Sequence, residues 1–147
     1  MTVFFEDVSE GDRSEYGSYE VTREEIIRFA EQYDPQWFHV DEERIERESP
    51  YGGLIASGWH TAAMTMRMLV EAEFRDAASV GAKGTDELRW WRPVRPGDTL
   101  RIETEIVETV PESPERGLVR VRVETYDGDD ERVFSMIGNV MYLTRDG

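Results

Sequence analysis

One helical stretch limits this chain more than any other. From Ser57 to about Phe74, Trp59, Ala62, Ala63, Met66, Leu69 and Val70 recur at helical spacing, and Met64 and Met68 widen the apolar surface. Arg67 is the only fixed charge between Ser57 and Val70, with His60 the one other titratable group. A band that broad predicts a helix covered by other structure on most sides.

The covering structure is encoded downstream. Val119, Val121 and Val123 alternate with Arg120, Arg122 and Glu124, and Leu100, Ile102, Thr104 and Ile106 show the same period of two. Strands are predicted over Thr85–Val94, Asp98–Val110, Gly117–Tyr126 and Arg132–Leu143, after an early one over Ser14–Val21. Pro96-Gly97-Asp98 and Asp127-Gly128-Asp129-Asp130 supply tight turns between them. Strands joined by short turns form an antiparallel sheet. The expected class is α+β, one domain over residues 1–147, with the sheet curved around the long helix.

The segment before the long helix carries the chemistry. Thr22 with Glu25 three residues on forms a capping-box pattern, and the helix it opens ends near Tyr33. Pro35 turns Asp34 out of helical geometry. Residues Asp34 to His39 then read as a loop, and Asp41 caps a short charged helix reaching Glu48. A carboxylate and an imidazole five residues apart can converge on one water or one substrate proton. On spacing alone, a turn-capping Asp34 and a backbone-bonded buried His39 are the simpler account. Ser57-Gly58 offers unpaired amides at a helix start, with glycine leaving room for an oxygen to approach, or else an ordinary cap and a close packing contact. His39, Asp41 and His60 together would satisfy a non-haem iron site only if His60 faced the same cavity. Trp90 and Trp91, adjacent on a strand, are expected to face opposite ways, one into the core.

Composition excludes several classes. There is no cysteine, hence no disulfide, thiolate nucleophile or cysteine-held metal. The net charge is −15, with 32 acidic residues against 17 basic, of which Lys83 is the sole lysine. That balance argues against nucleic acid or an anionic membrane surface as partner. It also suggests adaptation to molar salt, where the Debye length shrinks to roughly 3 Å. No signal peptide or membrane-length apolar run is present, so the expected location is the cytoplasm.

Taken in order, these pieces resemble the MaoC-like acyl dehydratases, the (R)-specific enoyl-CoA hydratase group of the hot-dog fold. The run Asp34, Gln36, Trp37, Phe38, His39 stands where that family has an Asp, an Asn two residues later, a Pro, an aliphatic residue and a His. Leu54-Ile55-Ala56-Ser57-Gly58 matches the opening of its central helix, and Arg89 to Asp98 matches its aromatic strand and Pro-Gly-Asp turn. The likeness spans roughly residues 11–143. It implies a hydro-lyase that reversibly hydrates trans-2-enoyl thioesters, carried by CoA or an acyl-carrier protein, to (R)-3-hydroxyacyl thioesters. Asp34 and His39 would be the acid/base pair and Gly58 the oxyanion donor, with Ser57 and Gln36 beside the substrate. No cofactor or metal is implied, and the resemblance predicts a homodimer or higher even oligomer. Gln36 for Asn, Trp37 for Pro and Ser57 for a frequent His are departures, and a bulky Trp37 is expected to narrow the acyl pocket. The rival readings are a hot-dog thioesterase and a non-catalytic acyl-thioester binding subunit. The absence of a carboxylate in the central helix before Glu71 counts against the thioesterase.

Overall fold

In the computed structural model, which describes residues 1–147, five antiparallel strands form one sheet in the order β1-β3-β4-β5-β2. They are β1 (Arg13–Glu20), β2 (Ser79–Trp90), β3 (Thr99–Ser113), β4 (Arg116–Tyr126) and β5 (Arg132–Leu143). The helices α1 (Arg23–Tyr33), α2 (Trp37–Val40), α3 (Glu42–Glu48) and α4 (Gly58–Glu71) all lie between β1 and β2 in the chain. No helix is long and apolar enough to cross a membrane.

Alternation in β3 and β4 sets the face that meets α4. Leu100, Ile102 and Ile106 are buried with Val119, Val121 and Val123, and Phe134 and Tyr142 of β5 join them. Full burial of each such side chain stabilises by about 1.5–3 kcal/mol. From α4 the facing residues are Met64, Met68 and Leu69, with Thr65 bonded to Thr125 across the gap at 2.7 Å.

The helix itself is less enclosed than its sequence predicts. Trp59 is 58% exposed, Met66 46% and Val70 49%, a stripe opposite the buried face. Its apolar band is wider than one sheet can cover. The sheet's open edges are β1 and β2.

Strand β2 begins six residues before its predicted start. Gly81 and Gly84 adopt φ of 117° and 144°, Glu87 adopts 52°, and the pairing with β5 shifts register three times. These bulges destroy the period-two signature by which a strand is read. The strand also ends at Trp90, so strict alternation lapses at the Trp pair; both indoles are partly exposed, and neither is core.

The predicted loop after Asp34 contains a helical turn. His39 N–H donates to Gln36 O at 2.9 Å and Asp41 N–H to Trp37 O at 2.9 Å, closing α2. Asp34 leaves α1 in non-helical geometry at φ −153° and ψ 65°, in keeping with the bar that Pro35 places on a helical residue before it. The capping box at α1 is half formed. Thr22 accepts from Glu25 N–H at 3.2 Å, but the Glu25 carboxylate turns away to Tyr19 and His60.

Candidate active site

Four segments meet beside the start of α4: the end of α1, the turn α2, the lead-in Ile55–Ser57 and the chain leaving β2. Two hydrogen bonds to backbone carbonyls hold them. Ala56 N–H donates to Val94 O at 2.8 Å, and His39 Nδ1 bonds to Ile55 O at 2.8 Å. Between them lies a cavity of about 390 Å³, lined by Asp34, Gln36, His39, Gly58 and Thr61 and walled by Phe38, Tyr51, Trp59, Trp90 and Trp91.

Asp34 caps the C-terminus of α1 and enters this cavity with both oxygens engaged. Ser57 Oγ donates to Oδ2 at 2.6 Å and Gln36 Nε2 to Oδ1 at 2.7 Å. Burial acts to raise the Asp34 pKa, but these two bonds and the imidazole of His39 outweigh it and leave it below the usual value. A carboxylate with donors on both oxygens stays ionised and is aimed.

His39 is 4% exposed. A carbonyl can only accept, so Ile55 O fixes the proton on Nδ1 and leaves Nε2 as a lone pair in the neutral ring. Nε2 stands 3.4 Å from Asp34 Oδ2. Nε2 and the Asp34 carboxylate therefore stand side by side on the cavity wall, where one water can reach the pair.

Gly58 is the first residue of α4, and its amide lacks an intrahelical partner. Its lack of a side chain also serves the close packing contact that the sequence offers as its alternative reading. A Cβ at this position would lie 2.6 Å from the Trp90 indole, whose Nε1 donates to Gly58 O at 2.7 Å. The glycine admits the tryptophan as well as leaving its amide at the cavity.

The other expected residues fall differently. Ser57 is fully buried; its hydroxyl is spent on Asp34 and on capping α4 through Trp59 N–H at 3.2 Å, so it holds the carboxylate rather than substrate. Gln36 does orient Asp34. Trp37 does not line the cavity: it packs against the core with the Arg44 guanidinium 4.3 Å over its ring, and Phe38 takes the wall position. His60 points away to Glu25, and no group of three His, Asp or Glu residues is placed to hold a metal ion. Thr61, which the sequence reading missed, lies one turn after Gly58 on the same helix face, a spacing that could have found it.

A family model described as a MaoC like domain matches residues 7–128. The chain belongs to the MaoC-like domain family. A MaoC-like dehydratase from Rhodospirillum rubrum superposes with a TM-score of 0.86 at 38% identity, over 97% of this chain and 98% of that one. YdeM of Bacillus subtilis (strain 168) is 32% identical over 117 residues, 80% of this chain and 82% of its own length. The R-hydratase PhaJ1 of Pseudomonas aeruginosa shares a TM-score of 0.78 over 98% of this chain and 88% of its own, at 20% identity, a likeness of fold. The five-stranded sheet on a long helix is thus the hot-dog fold. Within this MaoC-like domain, Asp34, His39 and Gly58 come from separate elements and open on one cavity.

Proposed function

We propose that this MaoC-like protein reversibly hydrates trans-2-enoyl thioesters to (R)-3-hydroxyacyl thioesters. The observation that carries the reading is the 3.4 Å approach of the Asp34 carboxylate, held below its usual pKa, to Nε2 of His39, on the same cavity as the first residue of α4. A water held by the pair presents its oxygen to C3 of the enoyl group. One member of the pair takes a proton as that oxygen bonds C3, and a proton is returned to C2 on the same face. The elements of one water are added and nothing leaves. Charge that develops on the thioester oxygen meets the Gly58 N–H, a contribution of about 10²–10³-fold for one donor. Ser57 and Gln36 act on Asp34 rather than on substrate.

The acyl thioester is carried by CoA or an acyl-carrier protein, and a second copy of the chain is the expected partner. The exposed Trp59, Met66 and Val70 stripe and the open β2 edge are the surfaces such a copy would cover.

The test is hydration of crotonyl-CoA in high KCl, followed by loss of the enoyl absorbance, with Asp34→Asn and His39→Gln beside wild type. Hydration by wild type, with kcat lowered at least 10²-fold in both folded variants, is the expected result. Equal rates in all three would remove the pair from the chemistry. Release of free CoA thiol without hydration would point instead to a thioesterase.

A further inference from the structure

A second imidazole–carboxylate pair sits on the other side of the same helix start, and the reaction above makes no use of it. His60 Nε2 lies 3.1 Å from Glu25 Oε1, which also accepts the Tyr19 hydroxyl at 2.5 Å. The ring is 3% exposed and stacks on Phe29, centroids 4.7 Å apart and planes 11° from parallel. Burial lowers the His60 pKa against the opposing pull of Glu25, so the ring is neutral and Nε2–H donates. Burial and then Glu25 push the Tyr19 phenol up to about 12, so it too stays a donor. Arg28 approaches the other Glu25 oxygen at 4.0 Å.

A cavity of about 250 Å³ adjoins the pair, lined by Gln32, Ala63 and Met64 among others. The ring nevertheless offers it no chemistry. Nε2 is committed to Glu25, while Nδ1 is sealed from solvent and bonded to nothing. An orphaned buried nitrogen is destabilising, a cost that an apolar residue of similar shape would avoid. The bond on the other nitrogen is what the ring contributes in return.

That bond completes a symmetrical attachment. Glu25 and Asp34 stand near opposite ends of α1, about 13 Å apart along its axis. Each carboxylate receives a hydroxyl and lies beside an imidazole: Ser57 and His39 at Asp34, Tyr19 and His60 at Glu25. Each reaches the first turn of α4, one at Ser57 and the other at His60, with Phe29 stacked between the two attachments. Burial of Ile26 and Ala30, and the bonds of Val21 to Gly97 and Asp98, hold α1 on the core. The Glu25 tie adds a second direct attachment to α4 and narrows how α1 can settle across it.

We propose that His60 is a positioning residue, which through Glu25 and Phe29 holds α1 across the start of α4 and so sets the placement of Asp34 against His39 and the Gly58 amide. The proposal rests on the reading of those three groups as the hydration site. A displacement of about 1 Å at reacting groups is enough to cost up to 10²-fold in rate.

His60→Phe keeps the stack on Phe29 and removes the bond to Glu25; His60→Gln places an amide nitrogen where Nε2 stood. In crotonyl-CoA hydration, His60→Phe is expected to lower kcat about tenfold or more with KM little changed, and His60→Gln to restore it to within about threefold of wild type. Wild-type kcat in His60→Phe would overturn the proposal. So would equal losses in both variants, which would assign the role to the ring itself. If His60→Phe does not fold, Glu25→Ala is expected to reproduce its loss with the ring in place. The chain has only two histidines, so in either His60 variant the single imidazole Cε1–H cross-peak in a proton–carbon NMR spectrum belongs to His39. That peak is expected to move in His60→Phe and to keep its wild-type position in His60→Gln. If wild type hydrates no thioester, the functional reading fails by itself, and the His39 peak alone decides the positioning: an unmoved peak in His60→Phe overturns it.

Discussion

Trp90 lies across Gly58, its indole Nε1 donating to the Gly58 carbonyl at 2.7 Å while the ring fills the space a Cβ would need. The contact joins the end of β2 to the start of α4. Trp59 packs edge-on against the same indole with centroids 5.0 Å apart, and Phe134 lies behind it at 6.1 Å. One glycine therefore sets both a packing contact and the surroundings of the first helix amide.

Gly58→Ala tests that coupling. An added Cβ 2.6 Å from the indole cannot be accommodated without moving Trp90, which is 43% exposed and has room to swing outward. Overpacking of this kind costs about 1–3 kcal/mol, reduced here by that freedom. The expected outcome is a modest loss in urea unfolding free energy with a larger loss in crotonyl-CoA kcat/KM. A variant with unchanged kcat/KM would separate Trp90 from the site.

Ser57→Gly isolates what the serine does for Asp34. Glycine keeps most of an N-cap's value, costing only a few tenths of a kcal/mol, so α4 is expected to persist. What is lost is the 2.6 Å bond that lowers the Asp34 pKa. In wild type the ionised form of Asp34 stabilises the fold above its unfolded pKa near 3.8, and that contribution fades as pH falls through the lower folded value. Removing the donor raises the folded value. The titration of the Asp34 carboxyl, followed by carboxyl-carbon NMR, is expected to move to higher pH in Ser57→Gly, and an unmoved titration would show that Ser57 does not tune Asp34.

Those residues also show how far the sequence could be read. The long helix and the alternation in β3 and β4 are visible because one buried face imposes one period. The first half of the bulged β2, Ser79 to Gly84, is not, because irregular positions erase its period. Asp34, His39 and Gly58 could be picked out as chemistry, yet what holds them is long-range: Ser57 to Asp34 across 23 residues and His39 to Ile55 across 16. Ser57 could be read as a cap but not as the donor to Asp34. Trp37 was read as cavity wall because its neighbours are, whereas the one-turn helix α2 rotates it toward Arg44 and presents Phe38 instead. Glu25 was given to its own N-cap, and the two aromatic side chains that claim it lie on β1 and α4.

The buried hydroxyl pair Thr65–Thr125 predicts strong non-additivity. Both residues are fully buried and bond only to each other across the helix–sheet interface, at 2.7 Å. Thr65→Val leaves the Thr125 hydroxyl dry and unpaired, at a cost of about 1–3 kcal/mol. The double variant Thr65→Val with Thr125→Val removes both hydroxyls at nearly constant volume, and is expected to recover most of that loss. Urea unfolding of the four proteins gives the coupling. Additive losses would mean that the pair does not act as a unit.

Salt is expected to stabilise this protein, because two electrostatic effects oppose each other and one is larger. The outer sheet face carries Arg120 between Asp86 and Glu108 at 3.1 and 3.3 Å, Arg122 with Glu105 at 3.1 Å, and Arg132 with Glu124 at 2.8 Å. Screening weakens such exposed pairs, each worth about 0–1 kcal/mol. Yet 32 acidic residues face only 17 basic ones, so even complete pairing leaves 15 negative charges to repel one another. Raising KCl from about 0.1 M to about 1 M shortens the Debye length from about 10 Å to about 3 Å, below the spacing of most surface charges. The thermal unfolding midpoint is expected to climb steeply over that range. A further rise beyond it, where screening is nearly complete, would indicate adaptation to salt rather than relief of repulsion alone. A flat response throughout would show that the excess charge does not govern stability.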